Sequence, residues 1–172
     1  MAPAPLTLVL GGARSGKSRY AEGLISTMSP PWTYVATAEA RDAEMTERIA
    51  VHQARRGSEW RTIEAPCDLA GALASAQPGP VLIDCLTLWL SNRMLAGADI
   101  DGEIRELEQA LARRSGAVVI VANEVGSGIV PDNALARRFR DLQGSLNQRI
   151  AAGADCVVLM VAGLPLPVKG NP

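Results

Sequence analysis

Histidine, lysine and aromatic residues are scarce in this chain of 172 residues. His52 is the single histidine, Lys17 and Lys169 are the two lysines, and the other fifteen basic residues are arginines. A zinc site rich in histidine is therefore excluded, and a Ser-His-Asp catalytic set would have one candidate base. Aromatic residues make up 3% of the sequence, so the core must consist mainly of Ala, Val, Leu and Ile.

Cysteine is also rare, and the three cysteines, Cys67, Cys85 and Cys156, are widely spaced. No C-x-x-C motif occurs, so the sequence indicates neither a zinc knuckle nor a redox-active pair. Because Cys85 and Cys156 lie in apolar runs, we expect them to be buried as small core residues. This usage of cysteine is typical of a reducing compartment and predicts a cytoplasmic protein.

The chain has neither an excess of one charge nor a long apolar run. Its 17 Lys and Arg residues nearly balance its 18 Asp and Glu residues, which argues against binding to nucleic acid. The longest apolar stretch, from Cys156 to Val168, is interrupted by prolines and falls short of the ~20 residues that span a bilayer. The N-terminal residues lack the basic segment and apolar core of a signal peptide. We therefore expect a soluble protein with no membrane span and no targeting signal.

The pattern of apolar residues predicts one α/β domain that comprises residues 1–172. Short apolar runs are predicted to be buried strands: Leu6–Leu10, Thr33–Ala36, Trp60–Ile63, Val81–Ile83, Ala117–Ala122 and Cys156–Val161. Segments with helical spacing lie between them: Lys17–Thr27, Ala43–Arg56, Asp68–Ala76, Leu86–Leu95, Ile100–Arg114 and Asn133–Ala152. Strands separated by helices favour parallel pairing. The prediction is a three-layer fold with a mostly parallel central sheet and a short edge strand within residues 163–172.

A phosphate-binding loop follows the first predicted strand. The segment GGARSGKS matches the P-loop pattern G-x-x-x-x-G-K-S and leads directly into a predicted helix. The backbone N–H groups of such a loop converge on phosphate oxygens at the N-terminus of the helix. Lys17 is expected to reach the β- and γ-phosphates, and the hydroxyl group of Ser18 to ligate Mg²⁺. The predicted nucleotide-binding residues of the loop are Gly11, Gly12, Ala13, Arg14, Ser15, Gly16, Lys17 and Ser18. The motif predicts that the protein binds a nucleoside triphosphate.

An acidic residue, Asp84, comes directly after the predicted strand Val81–Ile83. Ligands of parallel α/β sheets bind at the carboxyl ends of strands, where P-loop proteins place an aspartate that holds Mg²⁺. We therefore predict that Ser18 and Asp84 are the metal-binding residues.

His52 lies near the end of the predicted helix Ala43–Arg56, and Arg55 and Arg56 follow it on the same helical face. Nearby cations favour the neutral, nucleophilic form of an imidazole, and the two arginines can hold a phosphate group. Spacing alone nevertheless favours a solvated surface histidine over a nucleophile.

Two further segments have alternative interpretations. Glu64 directly follows the predicted strand Trp60–Ile63, and its carboxylate either binds ribose hydroxyl groups or faces solvent. The glycine-containing loop 123–128 follows another predicted strand and contacts either a substrate or a second subunit.

Taken together, these segments resemble the family of bifunctional adenosylcobinamide kinases and adenosylcobinamide-phosphate guanylyltransferases of cobalamin biosynthesis. The resemblance spans nearly the whole chain. It rests on segments that occur in one order: Gly11–Ser18 (GGARSGKS), Tyr34–Ala38 (YVATA), Glu44–His52, Trp60–Glu64 (WRTIE), Asp84–Thr87 (DCLT), Asn123–Gly126 (NEVG), Gly128–Pro131 (GIVP) and Asn147–Arg149 (NQR).

The resemblance implies two reactions at one site. A nucleoside triphosphate, ATP or GTP, phosphorylates adenosylcobinamide, and GTP then donates GMP to adenosylcobinamide phosphate with release of pyrophosphate. The resemblance also implies that His52 carries GMP covalently, that Lys17 is catalytic, that Mg²⁺ takes part, that the fold is RecA-like and that the protein is a homotrimer. The implied guanine-nucleotide site comprises the P-loop together with Ala36, Thr37, Ala38, Gln53, Ala54, Arg55, Arg56, Glu64 and Asp84.

Other classes of P-loop protein compete with this interpretation. A small-molecule kinase without guanylyltransferase activity would leave His52 a bystander, but no lid of the adenylate-kinase type is recognisable. A regulatory GTPase requires an N-K-x-D motif, and Asn123 is followed here by Glu124. A motor or assembly ATPase would need an arginine finger, which the sequence does not identify.

Overall fold

The computed structural model describes residues 5–40, 43, 46–47, 50, 54 and 56–171. Its strands are β1 (Leu6–Gly11), β2 (Trp32–Ala36), β3 (Trp60–Glu64), β4 (Val81–Asp84), β5 (Val118–Asn123), β6 (Cys156–Val161) and β7 (Leu164–Lys169). The helices with defined bounds are α1 (Lys17–Ser26), α2 (Leu69–Ser75), α3 (Leu86–Leu95), α4 (Ile100–Ala112) and α5 (Ala134–Gly153). Within the described residues, no helix has both the length and the apolar composition needed to cross a membrane.

The seven strands form one sheet in the order β3-β2-β4-β5-β1-β6-β7. Every neighbouring pair is parallel except β6 and β7, which are antiparallel. Because β1 lies between β5 and β6, the P-loop leaves the sheet from an interior strand. At the far margin, every residue of β7 is exposed. The predicted fold class, with its mostly parallel central sheet, is confirmed.

Two apolar clusters, one on each face, make the sheet the middle of three layers. One cluster joins strand residues such as Leu8 and Ile83 to α2, α3, α4 and α5. The other joins Val9 and Leu82 to α1. All four of these side chains are fully buried, because successive residues of a strand point to opposite faces and both faces are covered. Strands of this kind consist of continuous aliphatic runs, which is why the sequence pattern identified them.

The predicted bounds of the strands and of these five helices agree with the structure to within two residues. Side-chain caps help to fix the starts of three helices. The carboxylates of Asp68 and Asp99 and the amide oxygen of Asn133 each accept a hydrogen bond from the backbone N–H three residues later. Polar residues of this type before an apolar run are a sequence signal for a helix start.

The predicted helix Ala43–Arg56 lies largely outside the described residues. Those of its residues that are described before Arg56 have helical backbone and exposed side chains: Ala43, Thr46, Glu47, Ala50 and Ala54. Arg56 itself lies beyond the helical backbone. The predictions made for His52, Gln53 and Arg55 fall outside the described residues.

The cysteines are all free, and two of them are core residues as expected. Cys85 and Cys156 are 7% and 3% exposed, whereas Cys67 is exposed. Burial raises the pKa of the Cys85 thiol to about 12, so this thiol stays protonated near neutral pH and is a poor nucleophile.

Candidate active site

A cleft of about 780 Å³ opens at the carboxyl ends of the central parallel strands, next to the P-loop. Eleven of the predicted site residues line it: Ala13, Arg14, Ser15, Gly16, Lys17, Ser18, Ala36, Ala38, Arg56, Glu64 and Asp84. Most of them lie at or just after the ends of β2, β3 and β4, in the loop that joins β1 to α1, or in the first turn of α1, and Arg56 precedes β3. The parallel order of these strands brings their carboxyl ends to one edge. This is the edge at which open α/β sheets bind ligands.

Tight packing explains the glycine at the start of the P-loop. A Cβ atom on Gly11 would lie 2.6 Å from Oγ of Ser15 and 2.8 Å from the carbonyl oxygen of Met160, so no larger residue fits without a shift. Gly16 has φ +94°, a left-handed conformation that glycine adopts at no steric cost, and it immediately precedes α1. Gly11 is buried and Gly12 is exposed, and neither is among the residues that line the cleft. Gly11 thus allows the loop to pack closely against Met160 of β6, without lining the cleft itself.

Lys17 is held at the base of the cleft. Its side chain is buried, at 8% exposure, and its Nζ donates a hydrogen bond of 2.6 Å to the carbonyl oxygen of Gly12. Burial lowers the pKa of Lys17, and the negative charge of Asp84 opposes this effect. A desolvated ammonium group beside a phosphate-binding loop interacts more strongly with an anion than one in bulk water would.

Asp84 and Arg56, two charged residues of the cleft, both contact Tyr34. The hydroxyl group of Tyr34 donates a hydrogen bond of 3.0 Å to Oδ2 of Asp84. The guanidinium carbon of Arg56 lies 3.6 Å from the centroid of the Tyr34 ring, in the geometry of a cation–π contact. Tyr34 is 5% exposed, and burial, together with the charge of Asp84, raises its pKa above the usual value. The phenol therefore keeps its proton and acts as a hydrogen-bond donor to the carboxylate.

Thr37 joins the end of β2 to the end of β4 from inside the protein. It is fully buried, and its Oγ1 accepts a hydrogen bond from the backbone N–H of Cys85 and donates one to the carbonyl oxygen of Cys85, both at 2.7 Å. The side-chain amide of Asn92 donates to the carbonyl oxygens of Thr37 and Pro66 at 3.0 Å each. These bonds fix the backbone on either side of the cleft.

Two buried donors in the cleft lining have no hydrogen-bond partner among the described residues: Oγ of Ser15 and Nη1 of Arg56. Buried polar groups in native proteins are nearly always paired with protein, water or ligand. Both atoms can donate, and Arg56 carries a positive charge, so the arrangement suits an anionic ligand such as a phosphate. The described residues include no group of three or more His, Cys, Asp or Glu side chains that could hold a metal ion.

The structure adds residues that the sequence interpretation had not assigned to the site. Besides Tyr34, the cleft is lined by Arg19, Glu39, Ala40, Pro66, Cys85, Leu88, Val121 and Asn123. Asn123 begins the loop 123–128, for which the sequence leaves a substrate contact and a subunit contact as alternatives. Tyr34 could have been found, because it lies two residues before Ala36 on β2 and so shares its face. Ala54 is exposed, and it is not among the lining residues.

Comparison with known proteins gives the family. The model of the family described as cobinamide kinase / cobinamide phosphate guanyltransferase matches residues 7–168. The chain is 48% identical to the bifunctional adenosylcobalamin biosynthesis protein CobP of Pseudomonas aeruginosa, over 96% of this chain and 98% of that protein. It is 43% identical to the protein CobU of Salmonella typhimurium, which carries the same bifunctional description, over 95% and 99% of the two chains.

Two solved structures share the fold. The flagellar accessory protein FlaH from Methanocaldococcus jannaschii superimposes with a TM-score of 0.54 at 13% identity, over 97% of this chain and 79% of that one. A Pyrococcus horikoshii protein known by its project identifier PH0250 superimposes with a TM-score of 0.59 at 7% identity, over 100% and 89%. At these identities the similarity concerns the fold alone. From the sequence matches, the chain belongs to the cobinamide kinase / cobinamide phosphate guanyltransferase family, whose members are bifunctional enzymes of cobalamin biosynthesis.

Proposed function

We propose that one cleft serves both reactions of this enzyme and that His52 carries GMP between GTP and the corrinoid. In the kinase reaction, the hydroxyl oxygen of adenosylcobinamide bonds to the γ-phosphorus of ATP or GTP and releases its proton to solvent. The bond from that phosphorus to the β–γ bridging oxygen breaks, and ADP or GDP leaves. In the transfer reaction, an imidazole nitrogen of His52 bonds to the α-phosphorus of GTP and pyrophosphate leaves. An oxygen of adenosylcobinamide phosphate then displaces the imidazole to give adenosylcobinamide-GDP.

The observation that carries the nucleotide-binding part of this proposal is the pair of unpartnered donors beside the P-loop, whereas the role of His52 follows from the family resemblance. Oγ of Ser15 and Nη1 of Arg56 are buried in the cleft lining without a hydrogen-bond partner among the described residues, and Lys17 lies with them in that lining. A triphosphate supplies the acceptors that these donors need. Fixed donors and cations stabilise the charge that develops during phosphoryl and nucleotidyl transfer, because they need no reorganisation at the moment of reaction.

The residues predicted to bind Mg²⁺ offer suitable atoms. Ser18 and Asp84 both line the cleft, and hydroxyl and carboxylate oxygens are the ligands that Mg²⁺ prefers. Oδ2 of Asp84 accepts the hydrogen bond from Tyr34, while Oδ1 has no hydrogen-bond partner among the described residues. When bound with the nucleotide, Mg²⁺ would neutralise phosphate charge. Ser18 and Asp84 would hold it, with waters and phosphate oxygens as the remaining ligands.

The rest of the guanine-nucleotide site is proposed from the family resemblance and supported in part by position. Ala36, Ala38, Arg56 and Glu64 line the same cleft as the P-loop. Thr37 is fully buried and would act by fixing the backbone between Ala36 and Ala38 rather than by touching the nucleotide. The proposed contacts of Gln53, Ala54 and Arg55 rest on the resemblance alone.

We also propose that residues 1–172 form a single cytoplasmic domain that assembles as a homotrimer. One sheet contains strands from Leu6 to Lys169, which supports a single domain. Large apolar side chains are exposed on the segment 129–135 and on β7: Ile129, Val130, Leu135, Leu164, Leu166 and Val168. Exposed apolar residues grouped in this way are typical of surfaces that contact another protein subunit.

A labelling experiment tests the covalent step. The protein is incubated with Mg²⁺ and either α-³²P-GTP or γ-³²P-GTP, denatured, and assayed for label that survives base but is lost in acid. We expect label from the α-labelled nucleotide only, because GMP and not the terminal phosphate is retained.

The histidine substitution identifies the nucleophile. His52→Ala should retain no label from α-³²P-GTP yet still phosphorylate adenosylcobinamide, because the kinase reaction does not use the imidazole as nucleophile. An unlabelled wild-type protein would leave a P-loop small-molecule kinase as the better description, and a labelled His52→Ala protein would place the nucleophile elsewhere.

A further inference from the structure

We infer that Tyr34 is a positioning residue that holds Asp84 and Arg56 apart and in place. Asp84 is thereby free to bind a divalent cation, and Arg56 is free to bind phosphate. This inference rests on the function proposed above for these two residues. Tyr34 itself is assigned no contact with the reacting atoms.

The register of the sheet explains how Tyr34 reaches Asp84. On the neighbouring parallel strands β2 and β4, Tyr34 pairs with Leu82, and Ala36 pairs with Asp84. Tyr34 and Asp84 are therefore diagonal neighbours on one face of the sheet, within reach of a long side chain. The resulting hydrogen bond to Oδ2, at 3.0 Å, fixes the carboxylate at the edge of the cleft.

The aromatic ring of Tyr34 supports the arginine. The guanidinium carbon of Arg56 lies 3.6 Å from the centroid of the ring, and Trp60 packs edge-on against the same ring at a centroid distance of 6.1 Å. The ring is thus held between Trp60 on β3 and the carboxylate on β4. A rigid aromatic surface of this kind restricts the rotamers of an arginine before any ligand binds.

The neutral phenol keeps two opposite charges from cancelling each other. Among the described residues no ion pair joins Arg56 to Asp84, although both contact Tyr34. A direct bidentate pair would occupy the carboxylate oxygens and the guanidinium donors that ligands require. With Tyr34 between them, Oδ1 of Asp84 and Nη1 of Arg56 each lack a hydrogen-bond partner within the described part of the chain.

The test compares Tyr34→Phe with Tyr20→Phe, because the chain has two tyrosines and Tyr20, on α1, is not among the residues that line the cleft. Each variant is titrated with a fluorescent, non-hydrolysable GTP analogue at several Mg²⁺ concentrations and in EDTA, and its thermal unfolding midpoint is measured. Loss of the hydroxyl group should raise the Mg²⁺ concentration for half-maximal binding about tenfold in Tyr34→Phe, the effect of removing one hydrogen bond to a charged group. Affinity in EDTA should stay at the level of the Tyr20→Phe control.

A larger substitution separates the two contacts of Tyr34. Tyr34→Leu removes the ring as well as the hydroxyl group, so affinity in EDTA should also fall about fivefold, because the cation–π support of Arg56 is lost. In an Asp84→Asn background, Tyr34→Phe should have little additional effect on the Mg²⁺ dependence, since residues that act through each other are not additive.

The inference is overturned if Tyr34→Phe behaves like Tyr20→Phe, or if its full effect persists in the Asp84→Asn background. An unfolding midpoint that falls in parallel with binding in both backgrounds would likewise show a purely structural role. These outcomes differ from failure of the proposed function, which would appear as absence of α-³²P label in the wild-type protein while the binding titrations remain measurable.

Discussion

Arg56 lies in the cleft at the carboxyl ends of the parallel strands, whereas Arg114 lies near the amino end of β4. The two residues use their guanidinium groups differently. Arg114 follows α4 and donates four hydrogen bonds from its terminal nitrogens, of 2.6 to 3.2 Å, to the carbonyl oxygens of Leu73, Ala76, Gln77 and Gly79. These carbonyls belong to the end of α2 and the turn that precedes β4. Arg56 lies in the cleft at the other end, where its ring contact leaves Nη1 buried without a hydrogen-bond partner among the described residues.

The difference separates a structural cation from a ligand-binding one. The last carbonyl groups of a helix lack partners within the helix, and Arg114 supplies donors to the end of α2. Arg56 is held by an aromatic face, which restrains its position but leaves its donors available. Substitution of Arg114, which binds backbone carbonyl groups, should therefore mainly lower the free energy of unfolding. Substitution of Arg56, which rests on an aromatic ring, should mainly weaken ligand binding.

Substitution of Lys17, the buried cation of the cleft, should have the largest effect on catalysis. Lys17→Ala is expected to lower the rate of guanylylation about 100- to 1,000-fold, the usual cost of losing a group that stabilises charge in the transition state. Stability should not fall in proportion, because burial of the ammonium group is unfavourable, as its lowered pKa indicates. The rate of α-³²P labelling and the unfolding midpoint provide the measurements.

Lys169→Ala serves as the matched control, since the described hydrogen bonds of its Nζ go only to the carbonyl oxygens of Ala151 and Ala152. Its labelling rate should remain near that of the wild type. A comparable loss of rate in both variants would contradict the assignment of Lys17 to the phosphates.

Substitution of Arg114 should mainly reduce stability. Arg114→Met removes the donors of four hydrogen bonds to carbonyl oxygens, three of them partly buried, and we expect the free energy of unfolding to fall by about 2–3 kcal/mol. Denaturant titration measures this loss, with Arg113→Met as control because Arg113 is the exposed neighbour. Nucleotide affinity of the folded Arg114→Met protein should be unchanged, and a weakened affinity would remove the distinction between the two arginines.

Substitution of Arg56 should give the opposite result. Arg56→Met is expected to weaken GTP binding about tenfold, as loss of a charge-assisted hydrogen bond to phosphate would. The free energy of unfolding should fall by about 1 kcal/mol or less, because the cation–π contact with Tyr34 is lost but no described hydrogen bond depends on this side chain. Calorimetric titration with GTP and denaturant unfolding of the same preparation make the comparison. A loss of stability without a loss of affinity would show that Arg56 is structural.

Alkaline pH should have the smallest effect, a decrease in nucleotide affinity. This decrease should occur with lysine at position 17 but not with arginine. Burial lowers the pKa of Lys17 below its ordinary value of 10.5. The ammonium form binds phosphate and the neutral amine does not, so nucleotide affinity should decrease as pH rises toward this lowered pKa. Arginine stays charged over the same range. In Lys17→Arg the decrease should be absent, and a decrease of equal size there would assign the titration to another group.

The three-layer fold could be predicted from the sequence, because strands covered on both faces are continuous aliphatic runs such as Val81–Ile83. The positions of the P-loop and Asp84 could also be predicted, since each lies at the carboxyl end of a strand. The carboxyl ends of parallel strands meet at one edge of the sheet. The contacts of Tyr34 could not be predicted in the same way. They depend on the diagonal register of β2 with β4 and on the position of Arg56, neither of which leaves a local sequence signal. The role of His52 stays a prediction drawn from family resemblance.

The prolines of β7 affect how the protein can associate. Pro165 and Pro167 occupy alternate positions of this exposed margin, opposite Met160 and Val158. Alternate residues direct their backbone nitrogen atoms to the same side, and proline has no N–H to donate. A strand from another molecule would therefore lack the donors needed to continue the sheet, which guards against aggregation through strand addition. The apolar side chains of β7 remain available for contact with a partner through their faces instead.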